Sequence, residues 1–193
     1  MNSHSRTFEI ASGSVTLRPM QRADAETVRA FAENLPVHDL LFLQRDIRNA
    51  RVVDAWLDQI ESGLISSMVA VDGGGELLAC TALVRDELSW SPHVGEIRIV
   101  ISLQSRGGGL GRLLASECVQ AARIAGIEKL FVRMTPDQQA AIRVFEDLGF
   151  QPEALLREHV READGRTHDI LILALNLARQ QAQQGVFGLG QEG

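Results

Sequence analysis

Arg106-Gly107-Gly108-Gly109-Leu110-Gly111-Arg112 is the stretch of this sequence with the most chemical content. It follows an apolar, strand-like run from Ile97 to Ser102 and opens into an amphipathic helical run. Glycines at such a junction let the main chain approach a ligand with no Cβ in the way. The first helical turn offers N–H groups without an intrahelical acceptor, and the aligned peptide dipoles add about half a positive charge. Together these features cradle phosphate. A flexible solvated loop is the plain alternative. Arginines at both edges and an apolar helix starting inside the run argue against it.

Two common nucleotide patterns fail on spacing. The dinucleotide fingerprint needs glycines at i, i+2 and i+5, and counted from Gly107 the last position holds Arg112. The P-loop needs Gly-Lys-Ser/Thr, which is absent. A net charge of −6 without a Lys/Arg run excludes general nucleic-acid binding. A polyanionic ligand must therefore be held locally, against the net field, by groups such as Arg106, Arg112 and Arg143. The plain alternative for each is a solvated helix-face arginine, and for Arg143 that alternative is the better reading.

The chain of 193 residues suits one domain with a substantial core. Its 45% hydrophobic and 23% charged residues are those of an ordinary globule. No apolar stretch approaches a membrane span and no leader-like segment follows Met1, so no membrane is expected as a partner. Cys80 and Cys118 fall inside a predicted strand and helix, as buried free thiols suited to a reducing cytoplasm.

The positioning elements follow from periodicity. Residues 1–13 read as an extension with a short strand at Phe8 to Ile10 and a turn at Ser12-Gly13. Val15 to Arg18 alternates as a strand. Asp24 is placed to cap a helix through Leu35, and a second helix carries Val52, Val53, Trp56, Leu57 and Ile60. Ser67 to Val71 and Leu77 to Val84 flank Gly73-Gly74-Gly75 as a hairpin. Glu96 to Ser102, the helix Leu110 to Ala125 and the strand Lys129 to Met134 make one βαβ unit with a right-handed crossover. Within its first strand, Glu96, Arg98 and Val100 share one face. Thr135-Pro136-Asp137-Gln138 reads as a capping box with Pro at the first helical position. The helix it starts carries Ala141, Phe145 and Leu148 inward and ends at Gly149-Phe150. Ala154 to Arg161 and Asp169 to Leu177 pair across Asp164-Gly165, and residues 178–193 read as a frayed, disordered tail.

Arg106-x-x-Gly109-x-Gly111 resembles the pyrophosphate-binding motif of the GNAT superfamily of acyl-CoA-dependent N-acetyltransferases. A second register, Gln104-x-x-Gly107-x-Gly109, also matches. The family's later signature, Asn-x-x-Ala-x-x-x-Tyr before Gly-Phe, is similar to Gln138-x-x-Ala141-x-x-x-Phe145 before Gly149-Phe150. Two spaced motifs, each in its predicted context, are far more specific than either alone. The resemblance spans about Ser14 to Leu177, the expected acetyltransferase domain. It implies an α/β (α+β) fold with a mixed sheet of about six to seven strands, flanking helices, and a splayed strand pair that admits acetyl-CoA.

The same resemblance assigns Arg106, Gly107, Gly108, Gly109, Leu110, Gly111 and Arg112 to the diphosphate, with Gln138 and Phe145 also beside the cofactor. It gives the backbone of Ile99, Val100 and Ile101 to the pantetheine arm and thioester. No metal is implied. It implies direct attack of an amine on the thioester, with Glu96 as the base that removes the ammonium proton. A Glu–Arg pair solvating a strand end is the equal alternative for Glu96. The chain has no tyrosine, and the family's general-acid position is Phe145. A thiolate leaving group with a pKa of about 8.5 sits only ~1.5 units above neutrality, worth ~2 kcal/mol, so departure without a dedicated acid is affordable. Ser105 and Cys118 are the remaining hydroxyl or thiol candidates.

For the acceptor, the resemblance points to residues 35–47 and the last hairpin, where His38, His159, His168 and Asp169 lie. The expected function is acetyl transfer from acetyl-CoA to a primary amine of a small molecule or amino-acid-like acceptor. A protein lysine or N-terminal acetyltransferase, and a non-catalytic acyl-CoA-binding module, stay open. The resemblance is compatible with a homodimer.

Overall fold

The computed structural model describes residues 5–180. Its elements in order are β1 Arg6–Ile10, β2 Gly13–Pro19, α1 Ala25–Glu33, a 3-10 segment Val37–Leu43, α2 Ala50–Glu61, β3 Ile65–Val71 and β4 Leu77–Arg85. There follow β5 Val94–Ile101, α3 Leu110–Ile124, β6 Lys129–Met134, α4 Gln139–Asp147, β7 Gln151–Arg161 and β8 Thr167–Asn176. The strands form one sheet ordered β1-β2-β3-β4-β5-β6-β8-β7. Every neighbouring pair is antiparallel except β5 and β6.

The sheet thus has eight strands, one or two more than expected. The surplus comes from the edges. Arg6–Ile10, inside the presumed extension, pairs fully with β2, from Arg6↔Leu17 to Ile10↔Gly13. The expected tail begins as a helical turn at residues 177–180, and the rest of it lies outside the described residues.

Alternation in the strands sorts the core onto two faces. On one, Val28, Phe31, Val53 and Leu57 of α1 and α2 bury against Val69, Cys80, Val100 and Ile170. On the other, Leu110 and Leu114 of α3 pack on Val15, Leu17, Ala70 and Ala79. Further along α3, Cys118, Ala121 and Ala122 pack with Ile97, Val132, Phe145 and Phe150. Ala125, the expected last residue of this helix, is the exposed cap that ends α3. Among the described residues no helix is long and apolar enough to cross a membrane.

Two helix starts differ from expectation. Asp24 precedes α1 but its side chain makes no cap bond. Its oxygens accept instead from both terminal nitrogens of Arg18 (2.7 and 2.8 Å) and from the Gln21 N–H (2.7 Å). A stronger, charged partner displaced the cap. Burial pushes the Asp24 carboxyl up, but the Arg18 hydrogen bonds, the Gln21 amide and the Arg18 charge together hold it below the usual 3.8. A carboxyl held low in the folded state stabilises fully above 3.8, and that contribution fades as pH falls through the lower folded value. Asp24→Asn is therefore expected to cost about 1–2 kcal/mol at neutral pH, roughly 2–8 °C in Tm, and almost nothing near pH ~2. Thermal unfolding of both proteins at the two pH values checks this.

The second is α4, which begins at Gln139 and not at Pro136. Gln138 Oε1 does reach back to the Thr135 N–H (3.3 Å). The reciprocal bond is missing, because Thr135 Oγ1 is engaged by His38 Nε2 (3.2 Å), arriving from the 3-10 segment.

Candidate active site

β5 and β6 pair only from Val94↔Lys129 to Ile97↔Val132. Beyond that point β5 continues along β4 to Ile101↔Ala79, and β6 along β8 to Met134↔Leu171. From residue 98 onward the two central strands keep their outer neighbours and lose each other. This is the parted strand pair the sequence resemblance implies.

Ladder parity says which backbone groups face the opening. The Ser102 N–H donates to Leu78 O (2.9 Å), in register with Val100↔Cys80. In an antiparallel pair the hydrogen-bonded residues alternate, so Arg98 and Val100 turn their backbone groups toward β4. Ile99 and Ile101 turn theirs toward the opening. The Ile101 carbonyl already accepts from Arg106 Nη2 (3.1 Å). Val100 is thus corrected as a backbone contributor; it reaches the site by its side chain, on the α1/α2 face.

The opening leads into the glycine turn. Gly107 (φ 81°) and Gly109 (φ 91°) are left-handed, a conformation that disfavours a Cβ. Gly109 is the residue before α3, whose first backbone bond runs from the Leu113 N–H to Gly109 O (3.1 Å). The N–H groups of Leu110, Gly111 and Arg112 precede it without an intrahelical acceptor. A Cβ on Gly108 would lie 2.5 Å from Ser12 Oγ, so the β1–β2 turn walls this side of the cradle. A Cβ on Gly111 would lie 3.3 Å from Ile101 Cδ1, seating α3 on β5. These residues fit a diphosphate: bare donors, no side chain in the way, and a positive helix end. The flanking arginines are engaged otherwise. Arg106 Nη2 bonds Asp39 Oδ2 (2.8 Å), and Arg112 pairs with Asp147 of α4.

Glu96 is buried on the α1/α2 face of β5. Its Oε2 accepts from Arg98 Nη2 (2.6 Å), and its Oε1 stands 3.7 Å from Arg133 Nε of β6. Oε1 has no hydrogen-bond donor among the described residues. A guanidinium on each parted strand thus holds the carboxylate, with one oxygen left to accept. Arg133 stacks on Phe131 at 5.3 Å and meets the Gln44 side-chain amide. Gln44 ends the 3-10 segment in a left-handed conformation (φ 63°), a strained position for a side chain.

Phe145 is buried in the core cluster that also holds Ile97, Val132 and Met134, edge-on to Phe150 at 5.1 Å. The α4 face that carries it packs with residues of α3 and β6. Gln138 spends its amide oxygen on Thr135, as above. Ser105 is buried and its Oγ accepts a hydrogen bond from the Ser102 hydroxyl (2.8 Å). Burial pushes both thiols, Cys80 and Cys118, up to about 12. Neither is a proton donor or nucleophile near neutral pH. Ellman's reagent is expected to label neither in the folded protein and both after denaturation; fast labelling of one would contradict their enclosure.

Residues 35–47 and the last hairpin, to which the resemblance points for the acceptor, touch through side chains. Hydrogen bonds link His38 Nε2 to Asp137 Oδ2 (2.9 Å) and His168 Nε2 to Glu162 Oε1 (2.7 Å). The two imidazoles touch edge-on at 4.9 Å. Ligand atoms of His38, Glu162 and His168 lie within 4.8 Å of one another, the one such group among the described residues. Asp169 is diverted to the Glu158 N–H (2.8 Å) at a bulge of β7, and His159 is exposed.

A cavity of about 240 Å³ opens on the same face of β5 as Glu96. Its walls include Leu43 at the end of the 3-10 segment with Gln44 and Arg45 after it, Val52 and Trp56 of α2, Cys80 of β4, and Arg98 and Val100 of β5. Sequence reasoning missed Gln44, Arg45, Trp56 and Arg133 as site residues. For Arg133 a signal existed: Lys129, Phe131 and Arg133 alternate onto the face that Glu96 shares.

The profile of the acetyltransferase (GNAT) family matches residues 32–150. Mycothiol acetyltransferase of Nocardiopsis dassonvillei is 31% identical over 134 residues, covering 65% of this chain and 37% of that protein. The chain spans little more than a third of the length of the curated relatives it matches. Among solved structures, spermidine N-acetyltransferase from Vibrio cholerae, in complex with CoA and spermine, superposes with a TM-score of 0.72 at 18% identity. That match covers 86% of this chain and 98% of the other. The yncA protein of Salmonella typhimurium, solved with its cofactor acetyl-CoA, gives 0.71 at 20% identity, covering 84% and 94%. At these identities the structures establish a shared fold, and the family match over residues 32–150, which hold β3 to β6 and α2 to α4, establishes descent: the chain belongs to the acetyltransferase (GNAT) family.

Proposed function

We propose that the unit spanning residues 14–177 transfers an acetyl group from acetyl-CoA to a primary amine of a small molecule or amino-acid-like acceptor. The observation that carries this is the loss of β5–β6 pairing after Ile97↔Val132, next to a helix start with bare amides. Acetyl-CoA, when bound, supplies the thioester. Gly107, Gly108, Gly109, Leu110, Gly111 and Arg112 hold the diphosphate through backbone donors, with Arg106 at the edge. The backbone of Ile99, whose neighbour strand has parted, offers its N–H and C=O to the acyl arm, and Ile101 lines the same edge. Two structural neighbours solved with CoA or acetyl-CoA support that choice of ligand.

Glu96 accepts the ammonium proton at Oε1, directly or across a bridging water. Arg98 and Arg133 fix its orientation. Binding both reactants side by side contributes the remaining acceleration through proximity. Phe145, where relatives in this family use a tyrosine, favours a second reading, a module that binds acyl-CoA without turnover. Thiol release from acetyl-CoA, followed with Ellman's reagent across an amine panel, decides. Amine-dependent release is the expected result. Saturable CoA binding with no release for any amine favours the binding module, and absence of CoA binding contradicts both.

A further inference from the structure

The cavity beside Glu96 is lined by two charged residues, Arg45 and Arg98, both cations. Its other polar lining comes from Gln44, Gln59 and Thr81. Leu43, Ile47, Val52, Ile65 and Val100 supply an apolar wall. No Asp, Glu, Lys or His lines it among the described residues. We propose that the acceptor is an amine that also carries an anionic group and an apolar side chain, with Arg45 and Arg98 reading the anion. This deepens the acetyl-transfer reading and rests on it.

Among the described residues Arg98 is only partly committed and Arg45 makes no ion pair. Arg98 gives Nη2 to Glu96, and its buried Nε has no partner among the described residues. The Arg98 side chain is still 21% exposed, so its guanidinium can accept a carboxylate neighbour beside its bond to Glu96. Arg45 has no ion pair among the described residues, whereas Arg48 nearby is closed on Asp46 by two bonds (2.7 and 2.9 Å). Trp56 is locked, its Nε1–H donating to Ser67 Oγ (2.9 Å), so the apolar wall is preformed. The volume is below the roughly 300–1,000 Å³ of sites for drug-sized ligands, which suits a single amino acid. The net charge of −6 favours cations at long range. Within a Debye length of about 8 Å the lining arginines decide, and a polyamine would set cation against cation there.

The test uses the full chain with acetyl-CoA and three acceptors: L-leucine, L-leucinamide and spermidine. The expected result is a kcat/KM for leucine at least 10-fold above that for leucinamide and spermidine. Arg45→Gln is expected to raise KM for leucine at least 5-fold, with kcat nearly unchanged and leucinamide unaffected. Leucinamide or spermidine turned over as well as leucine, or an equal R45Q effect on leucine and leucinamide, would overturn the proposal. If no amine releases CoA although CoA binds, acetyl transfer fails separately, and titration of the CoA-loaded protein with leucine and leucinamide judges the anion site. Tighter leucine binding then supports it; equal or absent binding overturns it.

Discussion

Replacing Gly109 by Asp is expected to weaken CoA binding at least ~100-fold, about 2.7 kcal/mol, while the protein stays folded. Gly109 sits at φ 91° with nothing within 4 Å of a built Cβ, so the cost is conformational and not steric. Asp tolerates the left-handed region better than most residues, and the cost of ~1 kcal/mol is largely offset by a carboxylate at the positive end of α3. That carboxylate competes for the N–H groups of Leu110, Gly111 and Arg112 and repels a diphosphate. Calorimetric titration with CoA, with Tm as the control, checks both halves. Unchanged affinity would mean that the helix start holds no phosphate.

Glu96→Gln is expected to lower kcat by ~10²–10⁴ with CoA affinity within about 3-fold of wild type. The glutamine keeps an oxygen for Arg98 but cannot take the ammonium proton. It also leaves Arg98 and Arg133 facing a neutral group. Removing one partner of a fully buried pair costs ~3–5 kcal/mol; these guanidiniums are 21% and 22% exposed, so about 1–2 kcal/mol is expected here. Steady-state kinetics at saturating acetyl-CoA, beside thermal unfolding, separates the effects. A variant that loses stability but keeps kcat would reduce Glu96 to a strut between β5 and β6.

The glycine turn and the start of α3 are legible in the sequence because their causes are local. The Ile97 to Ser102 run, the glycines and the α3 period are neighbours in sequence, and α3 starts at Leu110 as expected. The face shared by Glu96, Arg98 and Val100 follows from strand alternation alone. What pairs with that face was not legible. Arg133 arrives through a parallel pairing that skips a whole helix, and no local pattern encodes a distance between strands. The 3-10 segment Val37–Leu43 follows Pro36 with apolar residues in no clean period, so neither it nor Gln44 declared itself. Thr135 and Asp24 kept the right residue types at the right positions for caps. Distant partners, His38 for one, and the nearby Arg18 strand residue for the other, took their side chains away. Phe145 shows the reverse case: its helical spacing gave an inward face correctly, and the inward face proved to be the core.

Amide hydrogen exchange of the purified protein, with and without saturating CoA, tests the central claim most directly. The predicted result is slowed exchange in the peptide covering residues 107–112 and in the one covering 98–101, with little change on the β3–β4 hairpin. Protection confined to other segments, or none in these two, would contradict a diphosphate held by bare amides beside parted strands.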